Sequence, residues 1–311
     1  MLEIIKYTAA HKKQWDELVA ASKNGTFLFL RDYMDYHADR FTDASYMLLR
    51  KGKMEALLPG NIKDKSYYSH QGLTYGGWVS STKLAATEIV EAFQLLNSEL
   101  ATAGVDEVIY KPVPLIYHQV PAQEDLYALF LNKAEKIACH ISSTIYQNNK
   151  PRFIESRKSG IRKAVREGVK ISETTDFAAF WNILENNLGN KFNTKPVHSL
   201  EEIELLSGRF PSNIKLYLAH QNGEAVAGTV LYVMKNIIHV QYISASLVGK
   251  ECGALDLLFD QLINQTFAAV PVFDFGQSTE QMGNYLNENL IFQKEGFGGR
   301  GIVYEAYRYS I

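Results

Sequence analysis

The chain has 311 residues, 46% hydrophobic and 21% charged, a balance that excludes disordered, collagen-like and disulfide-framework proteins. Its 32 Lys and Arg against 34 Asp and Glu leave a formal charge of -2, so no global basic field exists to hold nucleic acid non-specifically. Cys139 and Cys252 are the only cysteines, 113 positions apart, which removes both a zinc ribbon and a disulfide scaffold.

In the first half, Trp15, Leu18 and Val19 have helical spacing, and Asn24-Gly25 is expected to stop that helix in a left-handed turn. Strands at Tyr46–Arg50 and Met54–Leu58 follow, joined across Lys51-Gly52-Lys53. Next come Tyr67–His70 and a Gly-rich segment from Gly72 to Trp78. A long helix is predicted from Ser81-Thr82 to Gly104, with Ile89, Phe93, Leu96 and Leu100 on one face. Val108–Tyr110 and Ile141–Tyr146 read as strands, with a helix over Asp125–Leu131 between them.

The second half begins after Asn148-Asn149-Lys150-Pro151 with a charged helix from Ile154 to Arg166, stopped at Gly168. A second helix carries Phe177, Phe180, Trp181, Leu184 and Leu188 on its face. Ser199-Leu200-Glu201-Glu202 is a capping box, in which serine and glutamate satisfy each other's free backbone donors. Lys215–His220, Ala225–Met234 and Ile237–Ser244 read as three antiparallel strands. The turn between the first two is Asn222-Gly223, a pair suited to two positive φ angles. A helix with Leu255, Leu258, Phe259, Leu262 and Ile263, a strand at Val272–Phe275 and a closing strand at Ile302–Tyr307 complete the chain.

Both halves follow one order: helix, antiparallel strands, helix, strand. The expectation is an α+β protein of two tandem domains, 1–150 and 151–311, each a mixed, largely antiparallel sheet flanked by helices. The opening residues Met1–Tyr7 lack the basic flank and apolar run of a secretion signal. No apolar stretch approaches the roughly 18 residues that span a bilayer, so a cytoplasmic location is expected.

Three segments carry a family resemblance. They are Arg157-Lys158-Ser159-Gly160-Ile161-Arg162-Lys163-Ala164-Val165-Arg166-Glu167-Gly168, Phe273-Asp274-Phe275-Gly276-Gln277-Ser278 and Phe292-Gln293-Lys294-Glu295-Gly296-Phe297-Gly298-Gly299. In that order and spacing they resemble the GNAT-superfamily acyltransferases of the FemABX-like, tandem GNAT type. The resemblance covers most of 151–311 and, more faintly, the first half. It implies two tandem GNAT-like domains, acceptor binding in 1–150 and catalysis in 151–311. The Asp-Phe-Gly tripeptide does not make the chain a kinase, since no Gly-rich phosphate loop or His-Arg-Asp segment precedes it.

Acyl transfer to an amine needs a donor site, a deprotonated amine, donors for the oxyanion and a proton for the leaving group. The resemblance places the donor carbonyl at the splayed end of the fourth strand, here Ser244, Ala245 and Ser246. It also places a pyrophosphate at the next helix, where Lys250 and Gly253 are the nearest match. Leu255 and Glu251 make that loop a poor pyrophosphate clamp, which lowers coenzyme A relative to an aminoacyl-tRNA donor without excluding either. Asp274, at a short apolar strand, either serves the amine or caps the turn at Ser278. Lys294 precedes a Gly-rich turn, and the resemblance points to it as a carboxylate or oxyanion holder, with Gly276 and Tyr285 nearby in sequence.

Tyr242 and Tyr285 are candidate proton donors, and the polar loop Lys191–His198 carries Lys195 and His198, a candidate general base. Two-residue alternation puts His239 and Gln241 on one strand face, and His239 reads as a core or surface histidine. Arg162 and Arg166 share a helix face, either gripping substrate phosphate or facing solvent. The scattered histidines give no metal site. The leading function is an N-acyltransferase using acyl-CoA or aminoacyl-tRNA, with an amine of a cell-envelope precursor or small amino compound as acceptor. The competing one is a non-catalytic ligand-binding protein on a degenerate duplicated fold.

Overall fold

A computed structural model describes residues 1–192 and 195–311. The chain forms two compact units. One holds Met1–His140, Glu280–Tyr285 and Val303–Ile311; the other holds Ile141–Thr279 and Leu286–Ile302. The division therefore falls inside a strand at His140–Ile141, not at residue 150, and the C-terminal residues return to the first unit.

The first unit runs β1 (Leu2–Lys6), α1 (Lys12–Ala21), α2 (Arg31–Met34), β2 (Tyr46–Arg50), β3 (Lys53–Leu58), β4 (Asn61–Lys63), β5 (Ser66–Tyr68), β6 (Val79–Ser80), α3 (Ala86–Thr102), β7 (Glu107–Tyr110), α4 (Glu124–Leu131) and the start of β8 (Glu135–Tyr146). β1, β2, β3 and β6 form one antiparallel sheet, while β5 pairs β4 antiparallel and β7 parallel. The apolar face of α3 seals its core: Ile89, Phe93, Leu96 and Leu100 are all buried there. Each such side chain contributes about 1.5–3 kcal/mol by leaving water.

Two boundaries differ from the sequence expectation. Helix α1 ends where Ser22 turns extended and its hydroxyl donates to Val19 O (2.8 Å). Gly25 has no left-handed φ; a Cβ there would sit 2.5 Å from Val19 O, so close backbone approach is what selects glycine. Helix α3 starts at Ala86, because Ser81 Oγ is committed to the Glu55 carboxylate (2.5 Å) and Glu88 accepts from the Ala85 amide instead (2.9 Å).

The second unit runs α5 (Glu155–Arg166), β9 (Lys170–Thr174), α6 (Phe177–Phe192), α7 (Leu200–Arg209), β10 (Ile214–Gln221), β11 (Glu224–Val233), β12 (Ile237–Ala245), α8 (Leu247–Cys252), α9 (Ala254–Gln261), β13 (Val272–Gln277), Thr279 of the short β14 (Thr279–Glu280), Leu286 of the short β15 (Tyr285–Leu286), α10 (Glu288–Gly296) and the start of β16 (Arg300–Ser310). β9 to β12 form an antiparallel run, and β13 joins β12 in parallel. Helix α9 packs Leu258 and Phe259 against Ile238, Val240, Phe273 and Phe275.

The closing strands are exchanged. In the second unit β13 pairs with Ser142–Tyr146 of β8; in the first, β7 pairs with Tyr307–Ser310 of β16. Each unit thus takes its last strand from the other half of the sequence. The fold is mixed α/β, with a parallel pair beside antiparallel ladders in each unit, β5 with β7 and β12 with β13.

Candidate active site

β11 accompanies β12 from Ile238 opposite Val233 to Ala245 opposite Ala227. On the other edge, β13 pairs with it only at Ile237–Val272, Ile238–Phe273 and His239–Asp274. The two parallel strands then part, β13 turning at Gly276 (φ +74) and meeting β8 again at Gln277–Ser142. Ser246 N–H donates to Val226 O (2.9 Å), so alternation along an antiparallel ladder turns the Ile243 and Ala245 amides away from β11. They face the side that β13 has left.

At the branching point lies Asp274, fully buried. Its Oδ1 accepts from Ser142 Oγ (2.5 Å) and Thr144 Oγ1 (2.8 Å), both from β8, and its Oδ2 meets His239 Nδ1 (2.7 Å). A carboxylate taken out of water needs such partners, and here three hydrogen bonds replace its hydration. Gly276 lies against the same imidazole; a Cβ on it would stand 3.3 Å from His239 Cε1.

Lys294 reaches this point from α10. Only 4% exposed, its Nζ donates to Gly276 O (2.9 Å) and Gln277 O (2.6 Å). Burial pulls the amine down to about 8, against the upward pull of Asp274. Asp274, Gly276 and Lys294 are therefore brought together, and His239 joins them.

Tyr242 of the same strand forms a second pair with His198, which lies just before α7. The tyrosine hydroxyl lies 2.6 Å from His198 Nδ1 and accepts from the His198 amide (3.1 Å), with Trp181 edge-on at 5.2 Å. A bulge at Gln241, between Val230–Tyr242 and Leu231–Val240, shifts the alternation by one. His239, Tyr242 and Ser244 consequently share one face. Ser244 is occupied structurally: its Oγ accepts from Asn187 Nδ2 (2.7 Å), which also holds Ala245 O (2.7 Å).

The expected phosphate loop is not a loop. Lys250 to Cys252 finish α8, and Gly253 (φ +77) is the kink into α9, pressed so closely on α5 that a Cβ would meet Gly160 O at 2.6 Å. Ser246 caps α8 by accepting from the Gly249 amide (3.1 Å). A pocket of about 300 Å³ does form beside this kink, lined by Arg157, Lys250, Gly253, Asp256, Asn289 and Phe292. Arg157 pairs with Asp256 there (2.7 Å), whereas Arg162, 62% exposed, is spent on Glu155 (2.6 Å). Arg166 and Lys195 are exposed, and Tyr285 belongs to the first unit. In the loop read as Lys191–His198, Lys191 and Phe192 end α6, and Asn193 and Thr194 lie outside the described residues.

Sequence reasoning missed His239, Ser142, Thr144 and Arg157. The available signal was a polar residue flanked by apolar ones on two strands, Ile238-His239-Val240 and Phe273-Asp274-Phe275. Among the described residues, no group of three or more His, Cys, Asp or Glu side chains gathers as a metal site, and no helix is long and apolar enough to cross a membrane.

No family model matches the chain, and no curated protein matches it in sequence. Solved structures do. FemX is similar with a TM-score of 0.70 at 10% identity, over 99% of this chain and 97% of that one. L-PGS from Bacillus licheniformis gives 0.56 at 11%, over 85% and 83%. A tandem GNAT protein from the clavulanic acid biosynthesis pathway gives 0.54 at 10%, over 100% and 98%. The chain has the tandem GNAT fold that its three sequence segments pointed to.

Proposed function

We propose that the second unit transfers an acyl or aminoacyl group to an amine. The observation that carries this reading is the parting of β12 from β13 at a buried, fully hydrogen-bonded carboxylate. The turned-out amides of Ile243 and Ala245 are suited to hold an acyl carbonyl and, more strongly, the oxyanion that develops from it. The amine nitrogen forms its bond to the carbonyl carbon while the carbonyl π pair moves to oxygen. The carbonyl then re-forms, and the bond to the donor's sulfur or oxygen breaks.

Asp274 orients His239 through Nδ1, and this pair takes the proton released by the amine. Tyr242, with His198 behind it, returns a proton to the leaving group. Lys294 fixes the Gly276–Gln277 turn and supplies positive charge near the developing oxyanion. Its protonated form falls away above about pH 8, so the rate is expected to decline there.

Lys250 and Arg157 beside the small pocket are suited to the phosphates of coenzyme A or of an aminoacyl-tRNA end, with Gly253 at its floor. The acceptor is an amine of a cell-envelope precursor or a small amino compound. A second reading, binding without transfer, draws support from Gly253 being occupied by α5.

A thermal-shift panel with coenzyme A, acyl-CoAs, UDP-sugars and aminoacylated tRNA separates the two. Stabilisation by a donor, followed by transfer that Asp274→Asn cuts at least about 100-fold, supports the enzyme. Stabilisation by acceptors alone leaves only a binding protein.

A further inference from the structure

α6, the tip of the β10–β11 hairpin and the first turn of α8 enclose a pocket of about 600 Å³ in the second unit. Its chemistry is uniform: Asn182, Asn186, Asn187, Gln221 and Asn222 contribute carboxamides and Ser246 a hydroxyl. Among the described residues Glu224 is the only ionisable side chain in the lining. Behind that lining Lys250 Nζ donates to Asn187 Oδ1 (3.0 Å) and Gln221 Nε2 donates to Glu167 (3.2 Å), so the carboxamides hold one charge of each sign and the pocket favours neither an anion nor a cation. The pocket is built for an uncharged ligand that both donates and accepts hydrogen bonds.

Several of these amides are already oriented. Asn186 Nδ2 donates to Asn182 Oδ1 (3.1 Å), and Gln221 Nε2 donates to Glu167 (3.2 Å), which leaves the Gln221 carbonyl oxygen as an acceptor. Asn187 is fixed by Ser244, Ala245 O and Lys250. A carboxamide presents an N–H and a C=O side by side, the spacing of two neighbouring hydroxyls on a sugar ring. Leu247 and Val248, 77% and 51% exposed, add an aliphatic wall for the C–H face of such a ring. An extended peptide would want an open ladder edge, but β10 and β11 pair with each other to the hairpin tip at Gln221–Glu224.

The first unit has a pocket in the corresponding place, about 530 Å³ between α1, the β2–β3 hairpin and Ser81–Lys83. That one is lined by Glu17, Lys53, Glu55 and Lys83. The location is common to both modules; the uncharged carboxamide chemistry is peculiar to the second.

We propose that this pocket is a binding site for a neutral saccharide with vicinal hydroxyls, one or two rings in size. Binding there does not depend on the transfer chemistry. The test is saturation-transfer difference NMR on the full chain with two neutral disaccharides, chitobiose and maltose. Transfer to at least one of them is expected, and affinity should fall at least tenfold in Asn182→Leu/Asn186→Leu. Asn222→Ala, at an exposed hairpin tip, repeats the test should the double variant not fold. Absence of transfer to both sugars, affinity unchanged in the folded variants, or tighter binding of triglycine amide than of either sugar would overturn the proposal.

Discussion

The same register carries different residues in the two units. The last rung of the parallel ladder is His239–Asp274 in the second unit, with Thr144 opposite the aspartate; in the first it is Tyr68–Ile109, with Arg308 opposite the isoleucine. Beyond that rung the first unit stays closed. Ser69 N–H continues to Ile109 O (2.9 Å), Lys111 N–H reaches Ser69 Oγ (2.7 Å), and Gly76 N–H reaches Lys111 O (2.8 Å). The chain doubles back at His70 (φ +69), filling the place where β12 instead runs on to Ala245. One module has spent its strand edge on its own backbone, while the other keeps that edge and buries a carboxylate beside it. The two modules differ here by a few residues at one rung.

Substitutions at that rung sharpen the contrast most. Asp274→Ala and Lys294→Ala are expected to lower turnover at least about 100-fold, whereas Arg308→Gln in the first unit leaves it unchanged, measured as steady-state transfer from whichever donor stabilises the protein. Equal losses from both rungs would erase the proposed division of labour. Glycines at comparable helix ends come next. Gly253→Val puts a side chain at positive φ against Gly160 O and should cost about 2–3 kcal/mol in urea unfolding. Gly104→Ala, also at positive φ (+76) but with nothing within 4 Å, should cost about 1 kcal/mol.

A further effect concerns pH. Burial lifts the Asp125 carboxyl to about 7, against the Tyr110 hydroxyl that donates to it (3.0 Å). A folded pKa above the unfolded one of about 4 means that this group's contribution is fully present below pH 4 and is lost as pH rises through 7. Asp125→Asn should flatten that part of a melting-temperature profile, at most about 1.4 kcal/mol per pH unit. An unchanged profile would mean that Asp125 ionises freely in the fold.

Local chemistry made much of the fold legible. Asn222 and Gly223 both adopt positive φ (52° and 87°), as a two-residue hairpin demands, and Ser199 and Glu202 exchange their capping bonds (3.2 and 2.9 Å). The site was legible only in part. Asp274 and Lys294 stand out because charged residues sit oddly among apolar and Gly-rich neighbours, but His239 acquires its meaning through a parallel partner 35 residues away. The bulge at Gln241 then overturns the simple alternation that paired His239 with Gln241. On α5 the spacing of Arg162 and Arg166 is real, yet the direction of packing sends Arg157 inward. Edge strands such as β9, mostly exposed, carry too little apolar pattern to be seen.

The crossed ownership of the closing strands has a consequence for heredity. A gene cut near codon 150 would hand each product the wrong terminal stave, leaving β7 and β13 each with a bare flank. Halves of a sequence wired this way can each drift, yet neither can be removed without baring a strand in the other.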